Sequence, residues 1–403
     1  MAKCDHGRAR RFTTNTSISK VDIQTANQLA LTTAARNRIP PVQIPITNDA
    51  CQADDVVSVR NPLPTESLLI DALAPRVADW SIQRAIVVSP GRAQVAGFLT
   101  QSLPIISTIA WYQDLFSATQ ARKELDERVI VECSSDLPEG EVDLVAIPLL
   151  KRGEAELSRD LLQQAHQRLA NGGYLAASVD NPKDQWLHGQ MQRLLDKVTC
   201  HRTDGGCVYW GCKSNSTIKI KDFSCKFVFR GEDGTHLQAY SRPGVFSHRR
   251  VDVGARQLMR SADIEPGNNI LDLGCGAGTV AIASAVQTDG RVFAVDSNAR
   301  AIECTNVGAQ LNDLQNITSI LNADGQLTFP VDIDLVLANP PYYGNDAIAQ
   351  HFVDVARRAL RPGGALLVVT KRPRWYAEYF EDRFVDTAIF ESSRYFIACG
   401  RKP

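Results

Sequence analysis

The chain has 403 residues, of which 44% are apolar and 22% charged, with a formal net charge of -1. That length exceeds one ordinary core and suits two domains, and no apolar run approaches the roughly 18 residues of a membrane helix, so no membrane partner is expected. Near-neutral charge argues against a protein that coats nucleic acid indiscriminately, although a local basic surface can still hold a structured RNA.

Residues 1–58 combine Thr, Asn, Ala and Pro with an early basic run (Arg8, Arg10, Arg11) and show no sustained periodicity, which predicts a flexible N-terminal extension. An Arg-rich start is also the pattern of a transit peptide, but Asp5 and the lack of an amphipathic helix favour a disordered tail. Ten cysteines at irregular spacing, without a secretory apolar region, read as reduced thiols and predict a cytoplasmic location.

From residue 59 onward, short apolar runs alternate with amphipathic segments, the pattern of a parallel sheet covered by helices. Ala85-Ile-Val-Val predicts a strand, Ser89-Pro-Gly91 a turn and Val95-Ala-Gly-Phe-Leu a helix. Val142 to Pro148 is a further strand, and Ala165 to Leu169 a helix that closes on Gly172-Gly173 before a new apolar strand. Cys200, Cys207, Cys212 and Cys225, near His201 and His236, raise the question of zinc. No C-x-x-C pair is present, and Cys207 and Cys212 fall on opposite faces of one strand, so free thiols and no metal are expected.

The same order then recurs. Asn269-Ile-Leu-Asp-Leu is a strand, Gly274-Cys-Gly-Ala-Gly278 a turn and Thr279-Val-Ala-Ile-Ala-Ser a helix. Ile333 to Pro340 echoes Val142 to Pro148, and Asp334 precedes Gly363 by the interval that separates Asp143 from Gly172. Agreement of residue type, order and interval predicts an α/β chain of two tandem Rossmann-like domains with mostly parallel sheets, at 59–215 and 216–403.

The copies differ in their chemistry. A glycine-rich turn between strand and helix lets a ligand approach the backbone, but alone it also suits a dinucleotide or nothing at all. Asp272, ahead of Gly274, Gly276 and Gly278, would suit an ammonium group and repel a pyrophosphate. Asp296, followed by Ser297, ends the next strand, where a carboxylate accepts ribose hydroxyls. Ala323 and Asp324 come at the end of the following segment and suit an adenine amino group, although Asp-Gly is also an ordinary turn.

Asn339 ends the next strand, and Pro340 and Pro341 stop its ladder and fix φ, presenting the Asn339 amide and the Pro340 carbonyl rigidly. Such acceptors orient an amine toward an electrophilic methyl without a strong base. Tyr342 offers a face on which a flipped base can stack. Without its companions, Asn-Pro-Pro-Tyr would be only a strand-ending turn.

Together these residues resemble class I S-adenosylmethionine-dependent methyltransferases of the N-P-P-[YF] kind. Across roughly residues 60 to 400 the chain is similar to bacterial ribosomal RNA guanine-N2 methyltransferases of the small-subunit (RsmC) and large-subunit (RlmG) type, which carry a degenerate domain ahead of a catalytic one. The resemblance rests on Pro243 to Gly254, Asp272 to Gly278 and Asn339 to Tyr342. It implies S-adenosyl-L-methionine as cofactor and a ribosomal RNA or ribosomal subunit as partner. It also places Phe246, Asp252 and Gly254 over the methionine end of the cofactor, and a monomer is expected.

In the first copy Val87 stands near the place of Asp272, and Ile147-Pro-Leu-Leu replaces Asn-Pro-Pro-Tyr, so that copy is expected to bind no cofactor. The family follows its prolines with Phe-His where this chain has Tyr342-Tyr343, closer to protein glutamine or adenine-N6 methyltransferases. A protein N5-glutamine or adenine-N6 methyltransferase and a non-enzymatic RNA-binding assembly module therefore stand as alternatives. His248, Arg249, Arg250, Lys371, Arg372 and Arg374, with Trp375 and Tyr376, are the candidate RNA surface, or else a solvated rim.

Overall fold

The computed structural model describes residues 63–215, 217–341 and 346–403, so the 1–58 extension, Tyr342 and Tyr343 lie outside the described residues. Its first sheet is built from β1 (Arg84–Val88), β2 (Ser107–Tyr112), β3 (Val129–Cys133), β4 (Val142–Leu149), β5 (Leu169–Val179), β6 (Thr199–Thr203) and β7 (Gly206–Cys212). A hairpin follows, β8 (Cys225–Arg230) and β9 (His236–Ser241). The second sheet comprises β10 (Ile270–Leu273), β11 (Val292–Asp296), β12 (Ile317–Leu321), β13 (Ile333–Ala338), β14 (Leu360–Thr370), β15 (Val385–Ser392) and β16 (Tyr395–Arg401).

Both sheets are seven-stranded and have the same order: β3-β2-β1-β4-β5-β7-β6 in the first and β12-β11-β10-β13-β14-β16-β15 in the second. In each sheet the last pairings are antiparallel, because β7 and β16 run against the direction of the other strands. The helices of the first half are α1 (Pro64–Leu73), α2 (Gln94–Ser102), α3 (Leu115–Glu124), α4 (Ala155–Arg168) and α5 (Trp186–Met191). Those of the second are α6 (Val253–Ser261), α7 (Thr279–Ala285), α8 (Ala299–Leu311), α9 (Asp346–Ala359) and α10 (Pro373–Phe380). Helices on both faces explain why residues 85–88 of β1 are a continuous apolar run and why all of β10, Asp272 included, is buried, since neither face of a central parallel strand meets water. The tandem α/β reading of the sequence is the architecture found.

The two halves repeat one another down to single hydrogen bonds. Asp143 accepts the Arg84 N–H at 2.9 Å and Asp334 accepts the Asn269 N–H at 2.8 Å, each carboxylate tying β4 or β13 to the start of the central strand. Lys213 Nζ donates to the Leu169 carbonyl at 2.6 Å, as Lys402 Nζ does to that of Leu360 at 2.5 Å. A Cβ on Gly173 would come within 3.1 Å of the Asp143 carbonyl, and one on Gly364 within 3.0 Å of the Ile333 carbonyl. The repeated Asp and Gly-Gly are therefore scaffold.

Strand register corrects one sequence alignment. Val87 faces Ala146 across β1 and β4 as Asp272 faces Leu337 across β10 and β13. Counting on from these pairs, Pro148 rather than Ile147 occupies the place of Asn339. The sequence comparison slipped by one residue because apolar strands look alike at adjacent registers.

The halves are joined where β2 and β11 end. Leu115 N–H donates to the Ser297 carbonyl and Ala299 N–H to the Gln113 carbonyl, each at 2.8 Å, with Asp114 and Asn298 forming an antiparallel bridge. Beside this seam Arg300 is wholly buried, donating to Asp160 Oδ2 at 2.8 Å, Asp136 Oδ1 at 3.2 Å, the Ser135 carbonyl at 2.9 Å and the Pro243 carbonyl at 2.7 Å. Arg242 bridges Asp136 and Glu303. Burial by itself would raise the Asp136 carboxyl, but Arg242 and Arg300 outweigh it and hold that carboxyl below its ordinary range. Truncating a buried partner leaves its counter-charges unpaired, which costs about 3–5 kcal/mol. Arg300→Ala is accordingly expected to lower stability by about that amount, read as a reduced midpoint in urea; an unchanged midpoint would show that the buried network is dispensable.

Candidate active site

β10 feeds the turn Gly274–Gly278, and α7 begins at Thr279 with Gly278 as its cap. Gly278 has φ +74°, and a Cβ there would lie 2.7 Å from Thr305 Oγ1, so only glycine fits. In the first half Ala93 caps α2 with φ +51°, a left-handed conformation inherited without the glycine. There Ser89 Oγ accepts the Ala93 N–H at 2.7 Å and the Gly91 N–H at 3.3 Å, closing the turn upon itself. Glu66, fully buried, reaches into the same place and accepts the Gln94 N–H at 3.1 Å.

Two acids stand behind the second turn. Asp272 is 2% exposed and accepts the Ala281 N–H at 2.9 Å. Burial, reinforced by the charge of Asp296, pushes its carboxyl up to about 7. Asp296, at the end of β11, accepts the Gly276 N–H through Oδ2 and the Asn298 N–H through Oδ1, both at 2.9 Å. Its pKa is also raised, first by burial and further by the nearby Asp114. Tyr112 occupies the equivalent place in the first sheet, since Val87 pairs with Ala110 as Asp272 pairs with Ala294.

The strand-end amide is tied to this cluster. Asn339 Nδ2 donates to Asp252 Oδ2 at 3.0 Å, and the same oxygen accepts the Ala255 N–H at 3.1 Å, capping α6. That bond turns the Asn339 nitrogen toward Asp252 and its oxygen the other way. Gly254 is buried in the first turn of α6, while Val253 and Phe246 are 48% and 52% exposed. A Cβ on Gly276 would have the Phe246 carbonyl as neighbour, at 3.9 Å, so the 246–254 segment passes over the glycine turn. Pro340 is buried and Pro341 exposed.

Asn322 N–H donates to the Asp296 carbonyl at 3.0 Å, bringing Ala323 beside β11. Asp324 is exposed and accepts from Asn322 Nδ2 and the Gln326 N–H, each at 2.9 Å, a turn geometry. Asn339, Asp252, Phe246, Gly276, Asp296 and Asn322 therefore form one connected rim, with Asp272 beneath it. Ser297 joins from the seam, its Oγ donating to Asp114 Oδ2 at 2.6 Å.

The candidate RNA surface is only partly a surface. His248 lies with Nδ1 2.8 Å from Ser241 Oγ and Nε2 3.4 Å from Glu156, and Arg249 bonds Glu156 at 3.1 and 3.2 Å. Glu156 belongs to α4, so Arg249 ties the halves together while staying exposed, and the mostly buried His248 bonds Ser241 within its own half, a partnership with α4 that no local pattern could reveal. Tyr376 is 3% exposed in the core and Arg372 pairs with Asp346. Arg250 and Arg374 remain exposed, and Trp375 stacks on Tyr379 at 4.8 Å. Sequence reading missed Asp114 and Arg300; superposing the two repeats would have paired Asp114 with Asn298, since each caps the helix after its second strand.

Residues 236–398 match the family model described as methyltransferase small domain. A ribosomal RNA small subunit methyltransferase C of Pseudomonas putida is 33% identical over 245 residues, 58% of this chain and 71% of that protein. The chain belongs to the ribosomal RNA small subunit methyltransferase C family. The Hahella chejuensis member is 28% identical, and the match spans 59% of this chain but only 65% of that protein. A large subunit methyltransferase G of Shewanella amazonensis is 34% identical over 35% of the chain and 39% of its own length. Among solved structures, a Thermus thermophilus small subunit methyltransferase C, in complex with AdoMet and guanosine, shares the fold with a TM-score of 0.67 at 21% identity, covering 84% of this chain and 92% of that one.

In this methyltransferase C family member the raised Asp272 carboxyl makes stability depend on pH. A carboxyl whose folded value lies above its unfolded one favours the fold below its unfolded pKa, and that contribution is lost as pH rises through the folded value. Asp272 therefore withdraws stability between about pH 4 and the folded value of about 7. Asp272→Asn is expected to flatten the fall in unfolding free energy across that window by a few kcal/mol, read from urea titrations at each pH; parallel pH profiles for both proteins would contradict a buried, raised carboxyl.

Proposed function

We propose that the chain transfers a methyl group from S-adenosyl-L-methionine to the exocyclic N2 amine of a guanine in ribosomal RNA. The observation that carries this reading is the Asn339–Asp252 hydrogen bond, which locks the strand-end amide to the segment lying over the glycine turn. The chain's own residues suit the cofactor. The buried Asp272 carboxyl answers an ammonium group, Asp296 at the strand end answers ribose hydroxyls, and the turn at Gly276 leaves room above its backbone. Ser297, Ala323 and Asp324 complete the proposed cofactor rim.

When bound, S-adenosyl-L-methionine supplies an electrophilic methyl that leaves its sulfur for the guanine nitrogen, whose surplus proton passes to water. Asn339 Oδ1 and the Pro340 carbonyl accept the two N2–H groups, drawing the nitrogen lone pair out of the ring and toward the methyl. Pro340 and Pro341 keep that pair of acceptors from rotating. The exposed Phe246 and Val253 shield the methyl from water, and Tyr342, assigned from sequence, stacks on the flipped base. Residues 59–215 form the domain without this chemistry and 216–403 the catalytic one, and the protein works as a cytoplasmic monomer on a ribosomal particle. Its relatives are named as ribosomal RNA methyltransferases, which supports RNA over a protein glutamine.

The test supplies labelled S-adenosyl-L-methionine with isolated ribosomal subunits, naked ribosomal RNA or a glutamine-containing peptide, followed by nucleoside chromatography. N2-methylguanosine is expected; label on the peptide alone contradicts the proposal. Asn339→Ala is expected to lower transfer by about 10²–10³-fold with cofactor affinity nearly unchanged, because a misplaced acceptor acts on the transition state and not on cofactor binding.

A further inference from the structure

We propose that Asp114, contributed by the half that lacks the glycine turn, is a positioning residue for the Asp296–Asn298 loop of the other half and thereby sets affinity for a ribose-bearing ligand. The inference rests on the cofactor reading given above for Asp296.

Asp114 is fastened from behind. Its Oδ1 accepts both the backbone N–H and the hydroxyl of Ser117, each at 2.8 Å, as the N-cap of α3. The carboxylate therefore cannot turn without uncapping a helix. Its Oδ2 accepts the Ser297 hydroxyl at 2.6 Å, a short charge-assisted bond that reaches across the seam. The main chain on both sides of Ser297 is clamped as well, through the Ser297 carbonyl to Leu115 N–H and through Ala299 N–H to Gln113.

On the far side of the same loop, Asp296 is oriented by two donors, Gly276 N–H and Asn298 N–H. Asn298 is thus shared: its backbone pairs with Asp114, and its N–H steers the Asp296 carboxylate. A displacement of Ser297 or Asn298 moves the carboxylate relative to the glycine turn. In the first sheet the corresponding position is Tyr112, which has no carboxylate to steer. Asp114 therefore acts in one direction, from the half that has lost its turn onto the half that has kept it.

The full-length chain is titrated calorimetrically with S-adenosylhomocysteine and with its 2′,3′-dideoxy analogue. Asp114→Ala is expected to weaken S-adenosylhomocysteine by about tenfold or more, the scale of one lost charge-assisted hydrogen bond. Asp114→Asn, whose amide oxygen keeps the α3 cap while its amide N–H can donate to the Ser297 hydroxyl in place of the bond Oδ2 now accepts, should remain within about threefold of wild type. Ser297→Ala leaves the α3 cap intact and carries the same expectation as Asp114→Ala, so the test survives if that variant fails to fold. The dideoxy analogue should bind wild type and Asp114→Ala alike, because the lost contact is to the ribose hydroxyls. Wild-type affinity for S-adenosylhomocysteine in Asp114→Ala and Ser297→Ala overturns the proposal, as does an equal loss for both ligands, which would mark a merely structural contact. Asp296→Ala serves as the reference: if it binds as tightly as wild type, the ribose reading of Asp296 fails and this proposal with it, whereas a loss there without one in Asp114→Ala overturns the coupling alone.

Discussion

Two main-chain hydrogen bonds, from Leu115 to Ser297 and from Ala299 to Gln113, fix the end of the second strand of one sheet against the end of the second strand of the other. They are mates under an approximate two-fold relation, since Leu115 and Ala299 each begin the helix after that strand. Because these strand ends are where an open α/β sheet receives ligands, the seam brings the ligand-facing edges of both halves together. Arg300, Arg242 and the Glu156 contacts to His248 and Arg249 surround it. The loop that presents Asp296 is therefore held by residues from both halves.

What the duplication kept and what it lost divide along physical lines. Bonds that hold strands in register recur in both copies: Asp143 and Asp334, Gly173 and Gly364, Lys213 and Lys402. Groups that would face a ligand do not recur. Val87 stands for Asp272, Tyr112 for Asp296 and Pro148 for Asn339, and Glu66 and Ser89 occupy the donors of the first turn. The left-handed Ala93 is a remnant of a turn that glycine serves in the other copy. Scaffold contacts recur because their loss would cost stability in either sheet, while a carboxylate at an apolar strand end without a ligand or partner has no such support.

The fold was legible because its signals are local. Apolar runs, the glycine turn and the Gly-Gly repeats each occupy a few residues, and their repetition gave the tandem sheets. The sequence grouping of Asp252, Asp272, Gly276, Asp296 and Asn339 also meets in space, because strand order places their elements side by side. What was not legible depended on partners far along the chain. Nothing near Arg249 announces Glu156 as its partner, and nothing near Arg300 announces Asp136 and Asp160. Tyr376 beside Lys371 and Arg372 read as an exposed aromatic, yet it faces the core of its sheet.

A pseudo-symmetric pair of sheets, with the acidic and amide groups at the strand ends of one only, makes a demand that a single structure can meet or refuse. The most direct measurement is a crystal structure of the full chain with S-adenosylhomocysteine and guanosine. The expected result is one cofactor product per chain, its ribose hydroxyls on Asp296 and the guanine amine within hydrogen-bonding distance of Asn339 Oδ1. A molecule bound instead at Tyr112 in the first sheet, or a guanine amine pointing away from Asn339, would contradict it.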